Sequence, residues 1–124
     1  ATAEKGGLIG VVSYGPLLSQ SRRGTMDDLM NHVDYVAKMV GVDHLAFGLD
    51  LYPPTPKEFH EDFKRRYPEI AGAYPYDTKL EELKHPTEWR NLTSALKARG
   101  YSQNEVQKIM GENALRVFRQ VWKS

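Results

Sequence analysis

The chain has 124 residues, 40% of them hydrophobic and 27% charged, with a net charge of +1. This is the balance of one globular domain, and it excludes a disordered tail or a membrane-spanning protein. The charges of both signs are interspersed, which leaves no basic field for nucleic acid or an anionic membrane surface. With no cysteine, disulfides, thiol catalysis and Cys-type zinc sites are excluded, and the compartment stays undecided.

No apolar run approaches the ~20 residues needed to cross a bilayer, and no charged segment precedes an apolar one as in a signal peptide. Leu8-Ile9-Gly10-Val11-Val12 is apolar and rich in β-branched residues, which suits a strand buried on both faces of a parallel sheet. Gly6-Gly7 opens it and Gly15-Pro16 closes it. Met26, Leu29, Met30, Val33, Val36, Ala37 and Val40 then recur at helical spacing, with Thr25 as N-cap and Gly41 as terminator. Leu45-Ala46-Phe47-Gly48-Leu49 reads as a second buried strand, so residues 1–51 form a βαβ unit with parallel strands.

From residue 52 to 85, prolines alternate with tyrosines. Thr55-Pro56-Lys57-Glu58 resembles a capping box with proline at the first helical position, opening a helix with Phe59 and Phe63 on one face. So long a connection after a strand is expected to be a lid or binding loop. Residues 86–124 are helical. Trp89, Leu92, Ala95 and Leu96 form a stripe that ends at Gly100. A capping box at Ser102-Gln103-Asn104-Glu105 starts the next helix, with Val106, Ile109 and Met110 inward. Gly111 is expected to break that helix, Asn113 to cap a last one, and Leu115, Phe118, Val121 and Trp122 to supply its buried face.

Two strands cannot enclose a sheet of this kind, because doubly buried strands need strand neighbours as well as helices. A (β/α)8 barrel takes about 250 residues, so the chain is expected to be an incomplete α/β portion of one: the last two βα units and a helical tail. A small doubly wound domain is the competing architecture, with the same shortage of strands.

In such folds ligands gather at the C-terminal ends of the strands. Asp50 follows the second strand directly and is the candidate catalytic carboxylate, the bland alternative being a loop-fixing cap. Asp43-His44 precedes that strand, some ~20 Å away at ~3.3 Å per residue, and cannot share a site with Asp50. His32-Val33-Asp34 has a spacing that serves metal binding on a strand, but on a helix the two side chains diverge by about 200°, so a structural histidine is favoured. His60 and His85 read as surface residues, as do the basic runs Arg22-Arg23 and Lys64-Arg65-Arg66. No metal ligand set, phosphate loop or Ser-His-Asp order appears.

Taken together, several segments resemble the C-terminal part of the renal or membrane dipeptidase family. They are Gly6-Gly7-Leu8-Ile9-Gly10-Val11, Thr25-Met26-Asp27-Asp28 leading to His32-Val33-Asp34-Tyr35-Val36, and Val40-Gly41-Val42-Asp43-His44-Leu45-Ala46-Phe47-Gly48-Leu49-Asp50. Asn91-Leu92-Thr93, Leu96, Arg99-Gly100-Tyr101-Ser102, Ile109-Met110-Gly111 and Asn113-Ala114-Leu115-Arg116-Val117 follow in the same order. The resemblance implies a zinc-dependent barrel enzyme that hydrolyses dipeptides. It matches Asp50 to an acidic residue that faces a two-zinc centre and helps hold the attacking water and the scissile peptide. It also sets Leu17 where relatives carry a substrate-contacting aromatic.

Relatives commonly follow the aspartate with an aromatic residue, a second aspartate and glycine. Here Leu51-Tyr52-Pro53 stands instead, which makes Tyr52 a second substrate-binding candidate and sets this loop apart. The family's zinc ligands, a His-x-Asp pair, a bridging Glu and two further His, lie on earlier strands, so both zinc ions are expected to be held outside this chain. The implied partners are a dipeptide substrate and the missing N-terminal barrel or another copy of the chain, as in a homo-oligomer. A catalytically silent interaction module is the alternative.

Overall fold

The computed structural model describes residues 1–51, 55–72 and 79–122. A 3-10 turn at Ala3–Lys5 leads into strand β1, Ile9–Val11. Helix α1, Gly15–Leu18, sits in the loop that follows, and helix α2, Met26–Val40, runs back along the sheet to a 3-10 turn at Val42–His44. Strand β2, Leu45–Phe47, pairs with β1 in parallel, with Ile9 opposite Leu45 and Val11 opposite Phe47. The expected βαβ unit is present, with each strand shorter at its ends than the apolar runs.

Alternation along the strands sends Val11, Leu45 and Phe47 to one face and Gly10, Ala46 and Gly48 to the other. The first set packs with Leu29, Met30 and Val33 of α2 in the main core. The second carries little side chain, and Gly10 and Gly48 are exposed. Ala46 on the same face is buried, so strand β2 is covered on both sides there, and the second face is open at the two glycines.

Helix α2 is specified at both ends. The Thr25 side chain accepts from the Asp28 amide at 3.1 Å, and the Thr25 amide donates to the Asp28 carboxylate at 2.9 Å. At the other end Gly41 adopts φ 86°, a left-handed value that a side chain would resist.

Helices α3, Lys57–Arg66, and α4, Pro68–Ala71, lie in the long connection after β2. The capping box expected at Thr55 is not formed. Pro56 is the N-cap instead, one residue later, and its ring offers no acceptor. His60 is half-buried rather than a surface residue, whereas His85 is exposed and caps its own 3-10 turn, Pro86–Trp89, through the Thr87 amide. Another 3-10 turn, Glu81–Leu83, buries Leu83 beside Leu80.

Helix α5, Arg90–Ala98, buries Leu92 and Leu96, while Trp89 at its start meets the Phe47 ring edge-on, with centroids 6.1 Å apart. Helix α6, Gln103–Gln107, opens with the expected capping box at Ser102 and Glu105. Gly111 breaks the helix as expected: its backbone is non-helical, φ 171° and ψ −29°, at a kink within a π-turn, Lys108–Glu112, that precedes helix α7, Asn113–Val121. Asn113, however, is not a cap. Its side chain is buried, and its amide nitrogen donates to the carbonyls of Val42 at 2.7 Å and Leu45 at 2.9 Å.

The stripe expected to be the buried face of α7 is also exposed: Leu115 49%, Phe118 43%, Val121 68% and Trp122 72%. Phe118 and Trp122 cover part of each other by stacking at 4.5 Å. The inner side of this helix is set by Asn113 and Arg116, whose guanidinium donates to the carbonyls of Gly6 and Asp43.

A polar clamp ties α2 to the α5–α6 turn. The Arg99 guanidinium reaches Asn31 and Asp34, each at 2.9 Å, and Asp27, and the Tyr101 hydroxyl donates to Asp34 at 2.8 Å. Burial, with the Asp34 carboxylate beside it, pushes the Tyr101 phenol well above its ordinary range.

Four carboxylates among the described residues are held below the usual range by their partners. Asp28 is held by the Thr25 hydroxyl, Asp43 by the Lys108 ammonium, Asp62 by the Arg65 guanidinium and Glu105 by the Ser102 amide. A depressed folded pKa gives stability that is present above the unfolded value near ~4 and is lost as pH falls through the folded value. The melting temperature should hold level from neutral pH to about pH 5 and drop below about pH 4. An unchanged melting temperature at pH 2.5, roughly a unit and a half below the unfolded carboxylate value, would contradict this.

Candidate functional site

The C-terminal ends of β1 and β2 are joined more tightly than two short strands require. The Gly48 amide donates to the Val11 carbonyl at 3.0 Å, and the Ser13 amide donates to the Leu49 carbonyl at 3.4 Å. The buried Ser13 hydroxyl donates to the same Leu49 oxygen at 2.6 Å. Ser13 thus fixes the carbonyl immediately before Asp50. It is a polar residue directly after a strand, and that position was the one signal in the sequence that could have singled it out.

Asp50 itself is exposed and adopts φ 57°. Among the described residues two non-glycine side chains have positive φ, Asp50 and Arg22. Both lie on loops leaving the C-terminal ends of the strands. Left-handed backbone at a non-glycine residue costs roughly 1 kcal/mol and persists where the surroundings impose it, often at functional sites.

The other sequence candidates fall elsewhere. Leu17, on α1, is 67% exposed and lines a shallow apolar hollow of about 230 Å³ with Ile9, Val12, His32 and Val36. Asp50 is not part of that lining among the described residues. Tyr52 lies outside the described residues. Asp43 and His44 precede β2, at the end away from Asp50, and both have structural partners. Lys108 meets Asp43 at 2.6 Å, and the His44 ring nitrogen meets the Gly7 carbonyl at 2.9 Å. His32 meets the Leu18 carbonyl at 3.2 Å, while Asp34 belongs to the Arg99 clamp.

The donor set therefore does not fit a zinc centre: among the described residues no three His, Asp or Glu side chains gather where one ion could bind them. Nor, among those residues, is any helix long and apolar enough to cross a membrane. A chain with parallel strands and a helical crossover belongs to the α/β class, and comparisons narrow this further.

The sequence model of the membrane dipeptidase family, peptidase family M19, matches residues 1–73 and 66–124. The chain belongs to this family. It is 27% identical over 113 residues to dipeptidase tcpJ of Claviceps purpurea, covering 90% of this chain and 21% of the relative. It is also 27% identical to a Klebsiella pneumoniae protein from the pqqA 5′ region, covering 99% of this chain and 38% of that one.

Among solved structures, an amidohydrolase from Pseudomonas aeruginosa superposes with a TM-score of 0.77 at 31% identity, over 97% of this chain and 38% of the other. An M19 metallopeptidase, dipeptidase AC, superposes at 0.70 with 19% identity, over 98% of this chain and 30% of the other, and so shares its fold. The chain thus spans between a fifth and two fifths of the length of these relatives.

Proposed function

We propose that the whole protein to which this chain belongs is a metal-dependent dipeptidase, and that this chain supplies the last two βα units of a (β/α)8 barrel together with its acid–base carboxylate. The observation that carries this reading is Asp50, exposed at the C-terminal end of β2 in a left-handed conformation. In a barrel that position opens into the mouth where substrate binds.

In this reading Asp50 accepts a proton from the attacking water and returns it to the departing amine, a task suited to a carboxylate held within hydrogen-bond reach. The metal, zinc in the family resemblance, is held by residues outside the chain. Residues 1–51 are the βαβ base, 52–85 the lid and 86–124 the helical tail. Leu17 and Tyr52 contact the dipeptide. Assay of a full-length protein against a panel of dipeptides tests the reading. Release of free amino acids supports it, and a metal-loaded protein that cleaves none of them refutes it.

The α7 stripe favours a second reading, in which the chain serves as an interaction module. Both readings require a covering surface, from the remaining barrel or from another copy of the chain in a homo-oligomer, because unpartnered apolar faces and strand edges associate. The isolated chain should therefore sediment as an associated species at micromolar concentration. A compact monomer with one cooperative melt would show that nothing further is needed to complete it.

A further inference from the structure

We propose that Arg22 is a positioning residue that holds the lid segment, α3 and α4, against the loop leaving β1. The proposal rests on the dipeptidase reading for its purpose, while its geometry stands independently. The Arg22 guanidinium donates to the Gly72 carbonyl at 3.1 Å, across 50 residues of sequence. Gly72 caps the end of α4, so the bond reaches the lid where its last helix stops.

The loop that carries Arg22 is built as a rigid mount. Gly24 is pressed so closely on α1 that a Cβ there would lie 2.9 Å from the Leu18 side chain and 3.0 Å from the Gly15 backbone. The Ser19 and Ser21 hydroxyls lie 2.8 Å apart and each stands 3.1 Å from the Arg23 carbonyl, so their two protons are shared among these three oxygens. Inside this network the Arg22 amide donates to the Ser19 carbonyl at 3.0 Å, and the residue takes φ 61°. Glycine would occupy that backbone without strain. An arginine there points to a use for its side chain, and the structure shows one.

The segment it holds presents Phe59, Phe63 and Tyr67 at four-residue spacing, which aligns them on one side of α3. Phe59 is 63% exposed, and the Phe63 and Tyr67 rings lie 5.3 Å apart. They line a hollow of about 360 Å³ with Asp62 and Arg66. Arg22 sits on the loop after one strand, and the lid follows the other. The bond therefore fixes this aromatic surface relative to the strand ends where Asp50 stands.

The test combines hydrogen exchange with steady-state kinetics. Arg22→Ala and Arg22→Gly both remove the bond, but glycine also relieves the turn, so an effect common to both belongs to the side chain. Each should speed amide exchange in α3 and α4 by about threefold, as expected for one hydrogen bond of modest net worth. Exchange in α2 and α5 should not change, and Arg22→Lys should restore part of the protection.

In the full-length protein, KM for dipeptides should rise by a similar factor of about three while kcat holds. Unchanged exchange in α3 and α4, or a rise shared equally by α2, overturns the latch. A rise confined to α3 and α4 with KM unmoved overturns its role in positioning substrate. Exchange does not depend on turnover, so failure of the dipeptidase reading would show separately, as protection lost in a protein that cleaves no dipeptide.

Discussion

Asp50→Asn is expected to lower kcat by about 10² to 10⁴, the usual cost of removing a general acid–base group, while leaving fold and metal content near normal. Asparagine keeps the size and hydrogen-bonding reach of the side chain but can neither take up a proton nor carry the charge. It also tolerates the left-handed backbone that Asp50 adopts at φ 57°, so the variant should fold without penalty. Asp50→Gly separates structure from chemistry further. It relieves roughly 1 kcal/mol of backbone strain and should raise the melting temperature slightly while abolishing the same step. If Asp50 merely fixed the loop, both variants would keep full turnover, and kcat measured beside the melting temperature decides the matter.

The second large effect concerns Asn113. Its buried amide is the brace between α7 and the entrance to β2, with bonds to the Val42 and Leu45 carbonyls. Val42 has a further donor in the Leu45 amide, so the Leu45 carbonyl bears most of the loss. Asn113→Ala should destabilise the fold by about 2 to 3 kcal/mol, the cost of leaving a buried acceptor unmatched together with a small void. Asn113→Asp should be worse, since it turns a donor into an acceptor facing two carbonyls and buries a charge. Urea unfolding measures both. A loss under roughly 0.5 kcal/mol for the alanine variant would place Asn113 among ordinary surface positions.

The elements most legible in the sequence were those whose signals are local. Thr25 with Asp28, Gly41 and Ser102 with Glu105 each act within a turn or two, and each does in the structure what its residue type suggests. The parallel pairing of β1 and β2 followed from two apolar runs separated by one helical pattern. Gly111 likewise breaks the helical backbone where its residue type suggests. Asn113 misled because a capping signal holds only when the side chain is left to its own turn, and here it answers a demand some 70 residues upstream. Helical periodicity found the stripe of α7 but carries no information on what covers it.

The site shows the same division. That Asp50 would stand at the end of a strand was readable from an apolar run followed by a carboxylate. Its left-handed backbone and the Ser13 hydroxyl behind it depend on the neighbouring strand, which no local pattern encodes. Arg22 read as a solvated charge because its partner is a backbone carbonyl 50 residues away.

The central claim is most directly tested by measuring metal content and dipeptide hydrolysis on one preparation of a full-length protein that contains this segment. The account predicts about two zinc ions per chain, as in two-metal hydrolases, with dipeptide cleavage that chelation removes and zinc restores. A folded protein that binds no metal and leaves dipeptides intact would contradict it.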